Sequence, residues 1–218
     1  MNYSTKNYST IGRVKLYLPV LLSALCCSTL YAQQLSFKKL SRFEKRWVVF
    51  HPFAALTVKK YFPEMNEVYQ QVKQTIELDS FENGGKLDAF RHTYTMAFLA
   101  QKIKPEKIRK LGIAHEKGNR LDFIKKRREE GEWPDSVSCA MDLQNNELGI
   151  KIAAEWKVRP FDKQALKNKV VEAIKAGKAC YIKRNTQGNY ISCTNEIILP
   201  ENWKDKWNVP KCLVPTSL

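Results

Sequence analysis

Between Leu87 and Ile103 the residues Phe90, Tyr94, Ala97, Phe98 and Gln101 recur at intervals of three and four, the strongest helical pattern in the chain. The same stretch carries Asp88, Arg91 and His92. Asp88 and His92 are four residues apart, so both project from one face of a helix about one turn apart, with Arg91 beside them. A helix that is core-forming and ionisable at once restricts what the chain can become. Burying such groups unpaired is costly, so other segments must bring partners to them.

The remaining pattern is also mostly helical. From Phe37 to Phe62, with Phe43, Trp47, Phe50 and Ala54 on roughly one face, we expect two short helices or one helix kinked at Pro52. Pro63 should open another helix through Leu78, with Met65, Val68, Val72 and Ile76 as its buried stripe. Gly84-Gly85 breaks the chain. A helix opened by Pro105 is expected to end near Gly118, and the charged stretch Arg120 to Glu132 to form a separate exposed helix. Ser136 or Ser138 can cap the next long helix, in which Asp142 sits among Met141, Leu148, Ile152 and Trp156. Asp162 caps a last helix that stops at Gly177.

The period then changes. Residues 179–183 and 189–193 alternate about Asn185-Thr186-Gln187-Gly188, a β-hairpin signal, and the tail beyond reads as irregular. The expected fold is therefore all-α: an orthogonal bundle of about six or seven helices over 33–178, with a small C-terminal β-hairpin and tail over 179–218 packed on it.

Residues 1–32 have a different logic. Lys6, Arg13 and Lys15 precede an apolar run from Leu16 to Leu30 without acidic residues, the layout of a signal peptide, with cleavage expected after Ala32. An uncleaved N-terminal anchor is the alternative, and no second transmembrane candidate follows. The whole chain carries +15, and losing the three basic residues of the leader leaves +12 on the 186 remaining residues. That surface favours anionic partners, and lipid, another envelope component such as a cell-wall polymer, or nucleic acid would each satisfy the charge, which does not name the partner. The basic residues fall in scattered helical clusters such as Lys125-Lys126-Arg127-Arg128, with no nucleic-acid reader among them.

Export to a secreted or periplasmic location would place Cys139, Cys180, Cys193 and Cys212 in an oxidising compartment. Three connectivities are possible. Cys180 with Cys193 across the hairpin and Cys139 with Cys212 is the pairing we expect.

Two further segments carry polar islands: His115-Glu116, and Asp142 with Asn145 and Asn146 on one helical face. If three helices converge these faces, their groups must satisfy one another, a metal or a substrate. The set Gly84-Gly85, Asp88-Ala-Phe-Arg-His92, Ala114-His115-Glu116 and Met141-Asp142-Leu-Gln-Asn145-Asn146 with Gly149 resembles an uncharacterised bacterial domain family, matched from about residue 84 to residue 150. That family occurs in secreted proteins and at the ends of large toxin-like polypeptides. The resemblance implies hydrolysis of an envelope component such as a phospholipid or cell-wall polymer. Helical secreted phospholipases are the nearest chemistry, but this chain lacks their cysteine beside the histidine, their glycine-rich calcium loop and their His-Asp dipeptide.

In a hydrolase, His92 would be the general base held by Asp88, and Arg91 a clamp for phosphate or carboxylate. A metal version is equally drawable, with zinc or calcium on His92, His115 and Asp142 and Glu116 handling a water proton. The alternative is a secreted binding or scaffold protein in which Asp88, Arg91, His92, His115, Glu116, Asp142, Asn145 and Asn146 only lock helices together.

Overall fold

In a computed structural model, residues 37–128, 132–156 and 160–217 are described. The leader reading over 1–32 lies outside them. Six helices form the body: α1 (Arg42–Phe50), α2 (Pro52–Lys73), α3 (Lys86–Ala100), α4 (Pro105–Ile124), α5 (Ser136–Glu155) and α6 (Lys163–Lys175). A two-stranded antiparallel sheet of β1 (Cys180–Ile182) and β2 (Leu213–Pro215) completes it. The protein is thus all-α with a small C-terminal sheet, and no described helix is long and apolar enough to cross a membrane.

The strongest periodic segment, α3, is the central element. Ten of its fifteen residues are buried, which leaves no solvated face, and it packs against α2, α4, α5, α6 and β1. Phe90, Tyr94 and Phe98 form a ring ladder along it, and Phe161 meets Phe98 edge-on at 5.1 Å.

The closest helix pairing is α3 with α5. At Gly149 of α5 the two backbones nearly touch: an added Cβ would clash with the Thr93 carbonyl and lie 2.9 Å from Met96 Cβ and 3.0 Å from Ala97 N. Only glycine permits that approach.

Several boundaries differ from expectation for identifiable reasons. Pro63 does not open a helix; it lies within α2, which continues to Lys73. The missing amide forfeits one bond to the solvent-exposed Lys59, while Met65, Val68, Tyr69 and Val72 keep the apolar stripe in the core. Ile76 falls beyond the helix and is exposed. Gly118 does not stop α4 either. It stands where Ser41 packs, since a Cβ there would lie 2.8 Å from Ser41 Oγ, and the helix runs on to Ile124. The first part of the expected 120–132 helix is therefore the end of α4, and residues 129–131 lie outside the described ones.

Asp135, not Ser136 or Ser138, is the N-cap of α5. Its carboxylate accepts from Val137 N at 2.8 Å and Ser138 N at 2.9 Å, while Ser138 Oγ reciprocates as acceptor for Asp135 N at 3.1 Å. The same carboxylate meets the buried Lys211 ammonium at 2.7 Å, tying the tail to this helix start. Asp162 caps α6 as expected, accepting from Gln164 N and Ala165 N.

At the C-terminus the turn at Asn185 forms, with Gly188 N donating to Asn185 O at 2.9 Å. The partner of β1, however, is the tail strand β2, in the register Cys180↔Pro215, Tyr181↔Val214 and Ile182↔Leu213. Residues 190 and 191 make only isolated bridges, to Arg184 and Ile197. The tail's arrival beside β1 also decides the disulfide. Cys193 bonds Cys212, and Cys139 and Cys180 keep their thiols, in place of the pairs Cys180–Cys193 and Cys139–Cys212.

Replacing Gly149 by Ala should cost about 3 kcal/mol, the upper end for overpacking, because the clash is with backbone that cannot rotate away. Urea unfolding of the variant beside the parent measures it; a loss below about 1 kcal/mol would mean the two helices can separate freely.

Candidate active site

The contact at Gly149 brings the polar positions of α3 and α5 face to face. His92 Nδ1 lies 3.3 Å from Asn146 Oδ1, and His92 Nε2 lies 3.3 Å from Asp142 Oδ1 and 3.5 Å from Asp88 Oδ1. Neither carboxylate contact has hydrogen-bond geometry, and Nε2 is buried. Gly112 of α4 leaves the room that Asn146 needs, since a Cβ there would lie 2.9 Å from Asn146 Nδ2.

Asp88 is held by three donor atoms from two residues. Its Oδ2 accepts from Gly84 N at 2.7 Å, and its Oδ1 accepts from Arg91 Nε at 3.1 Å and Arg91 Nη2 at 2.8 Å. Gly84 adopts φ 71°, a left-handed conformation that turns its amide toward the carboxylate. Upstream, Asp79 supplies the anionic cap of α3, accepting from Lys86 N at 2.7 Å and Leu87 N at 3.1 Å.

The other expected residues divide. Asn145 is fully buried and is spent on the sheet: Nδ2 donates to Cys180 O at 3.0 Å while Oδ1 accepts from Cys180 N at 2.9 Å, so α5 holds β1 as a neighbouring strand would. Glu116 is buried on α4, where Oε2 accepts from Asn119 Nδ2 at 3.1 Å, and it lines neither of two cavities beside the centre. His115 turns its Nδ1 to Glu44 Oε1 at 3.1 Å. Of the three metal ligands expected, His92 and Asp142 are together and His115 is engaged elsewhere. Among the described residues, the donor atoms that lie within 4.8 Å of one another belong to Asp88, His92 and Asp142.

Glu44 was not among the sequence candidates, although Ser41 three residues before it is a readable capping-box pair. The box forms, with Ser41 N donating to Glu44 Oε2 at 2.8 Å and Glu44 N donating to Ser41 Oγ at 3.2 Å. Burial alone would raise the Glu44 carboxyl, but the hydrogen bond and charge of His115 and the two Ser41 bonds outweigh it and hold it below its ordinary value.

Of the centre's three residues, His92 alone borders a cavity of about 590 Å³ among α1, α2, α3 and α4. Its walls are mostly apolar, including Trp47, Val48, Val58, Phe62 and Met65, while Arg91, His92, His115 and Asn146 form a polar end. The two imidazoles therefore share one cavity without sharing a ligand set. On the other side of the centre lies a recess of about 30 Å³ bordered by Asp88, Arg91, Asp142 and Lys211. Burial is the largest influence on His92 and lowers its imidazole to about 4, with Arg91 and His115 adding to the shift and Asp88 and Asn146 opposing it.

These features define an all-helical protein with a buried His/Asp/Asp centre at the end of an apolar cavity. The chain belongs to the family described as Domain of unknown function (DUF6973), whose model matches residues 45–178. That match takes in all three polar segments and ends before the sheet. No curated protein and no solved structure matches the chain.

The His92 shift fixes the sign of one pH effect. With chelator present, the unfolded chain takes up the His92 proton near about 6.5 while the folded one waits until about 4. This contribution to stability is complete above about pH 6.5 and declines by about 3 kcal/mol as pH falls toward 4. Denaturant midpoints across that window check it: His92→Gln should flatten the acid limb, and an unchanged limb would contradict the buried neutral imidazole.

Proposed function

We propose that this protein is an exported hydrolase of an amphiphilic envelope lipid, cleaving an ester of a phospholipid at the polar end of the cavity. The observation that carries the reading is the junction itself: a buried ionisable centre meeting an apolar-walled cavity of about 590 Å³, within the usual size of ligand sites. An acyl chain matches the walls, and the anionic headgroup matches Arg91 at the polar end.

Hydrolysis requires a water oxygen to bond to the ester carbonyl carbon as the carbon–alkoxide bond breaks. The Asp88–His92–Asp142 centre is the group available to activate that water, whose proton ends on the leaving oxygen. Arg91, already aligned on Asp88, would offset the charge of the phosphate.

The outer surface supports a lipid substrate. Leu56 lines the cavity yet is 63% exposed, so it marks the mouth. Val49, Phe50 and Phe53 near it are also exposed, with Arg46, Lys59 and Lys60 interspersed along the same two helices. An apolar corner with basic neighbours suits an anionic bilayer surface. Export accords with the leader-like residues 1–32 and with the Cys193–Cys212 disulfide.

The competing reading, a helix-locking network without catalysis, draws on Asn145 and Asp88, whose contacts hold backbone. Release of fatty acid from anionic phospholipid vesicles separates the two. His92→Ala should lower turnover by about 100-fold or more while the melting temperature stays within a few degrees. Ala55→Phe, which fills the cavity wall, should slow long-chain substrates and spare short soluble esters. Absence of turnover by the parent protein, together with a collapse of His92→Ala folding, would favour the lock.

A further inference from the structure

We infer that Asp88, His92 and Asp142 form a binding site for a divalent cation, with zinc the best match. The inference shares its site with the hydrolase reading and rests on that reading only for what the ion does. The ion's being held there is argued from geometry.

Asn146 presents its carbonyl oxygen to His92 Nδ1 at 3.3 Å. A carbonyl only accepts, so the ring proton belongs on Nδ1 and the Nε2 lone pair faces inward. There it meets two carboxylate oxygens, Asp142 Oδ1 at 3.3 Å and Asp88 Oδ1 at 3.5 Å. Moving a proton to Nε2 would not repair the contact, because neither oxygen lies where that N–H would point and Nε2 has no hydrogen-bond partner among the described residues. A buried Nε2 lone pair turned on two carboxylate oxygens without a hydrogen bond is relieved by a cation placed among the three atoms, with Asp88 Oδ1 shared between that ion and the Arg91 guanidinium.

The spacing suits such a centre. Two zinc bonds of about 2.0–2.1 Å at a tetrahedral angle separate their donor atoms by about 3.3 Å. Two carboxylates and a neutral imidazole bring two negative charges to a dication, one of them shared with Arg91 through Asp88. One nitrogen among three donors points to zinc over calcium, which prefers six to eight oxygens.

The surroundings are those of a held ligand set. Asn146 fixes the His92 ring, as the outer partner of a metal-bound histidine does, and Gly84 N and Arg91 fix Asp88. Three protein ligands leave a fourth position open. The recess of about 30 Å³ beside Asp88 and Asp142 has room for one or two waters, and His92 borders the large cavity on the opposite side. A zinc-bound water there would have a pKa of about 7.

The test uses untagged protein stripped with EDTA and titrated with zinc alone, without lipid, by calorimetry and by the visible absorption of a cobalt-substituted sample. We expect one ion per chain and a melting temperature raised by about 5 °C or more at a hundredfold excess over Kd. Asp142→Asn, which keeps the side-chain shape, should weaken binding by about 100-fold and lose the cobalt bands. Glu44→Gln, which touches His115 but not the centre, should leave the affinity within about threefold. Should Asp142→Asn fail to fold, Asp88→Asn takes its place. Failure of the parent protein to take up one equivalent of zinc, manganese or calcium overturns the inference, as does equal uptake by the carboxylate variants. Zinc held without lipid turnover upholds this site and removes the hydrolase reading; EDTA-resistant turnover without zinc uptake does the reverse.

Discussion

The crossing of α3 and α5 at Gly149 sets everything else in the molecule. A side chain at that position would push the Thr93 carbonyl and Ala97 amide away. His92 and Asn146, one residue from Thr93 and three from Gly149, would separate with them. Because α3 is buried on every side, α2, α4, α6 and β1 take their places around this pair. A second glycine, Gly112, admits the Asn146 amide between α4 and α5, and a third, Gly118, seats the start of α1 on α4. Close backbone approach is what puts ionisable groups from distant segments within a few ångström.

Polar residues in this interior divide between two tasks. Asn145 replaces a strand partner for Cys180, Asp79 and Asp135 terminate helices, and Lys211 sits between the Asp135 carboxylate and the Tyr190 ring at 3.9 Å. Each of these has its hydrogen bonds or charge met by a defined neighbour, so each stabilises without reactive consequence. His92 differs, since its Nε2 is hidden from water and aimed at two carboxylates without a bond to either. An unmet group of this kind in a cavity wall is a stronger indication of chemistry than the presence of a histidine.

Arg91 lies between the two environments. It borders both the large apolar cavity and the small polar recess while its guanidinium grips Asp88. An anion at the polar end would compete with Asp88 for the same donors. His115, held by Glu44 on the far wall, adds a second imidazole to the cavity without entering the donor cluster.

Residue order alone revealed the helices, because periodicity, caps and breaks depend on neighbours a few positions away; α3, the Asp162 cap and the turn at Asn185 were all legible on that basis. It also marked Asp88, His92, Asp142 and Asn146 as groups needing partners. It misread Pro63 and Gly118 as boundaries, since their helices persist through burial of Met65 and Val68 and through contact with Ser41. Tertiary structure alone decided that β1 pairs with the tail, that Cys193 bonds Cys212, and that Asp88 and not His115 completes the cluster around His92. Those outcomes hang on which distant backbones can come close, a matter of volume and packing that the spacing of residues along the chain does not encode.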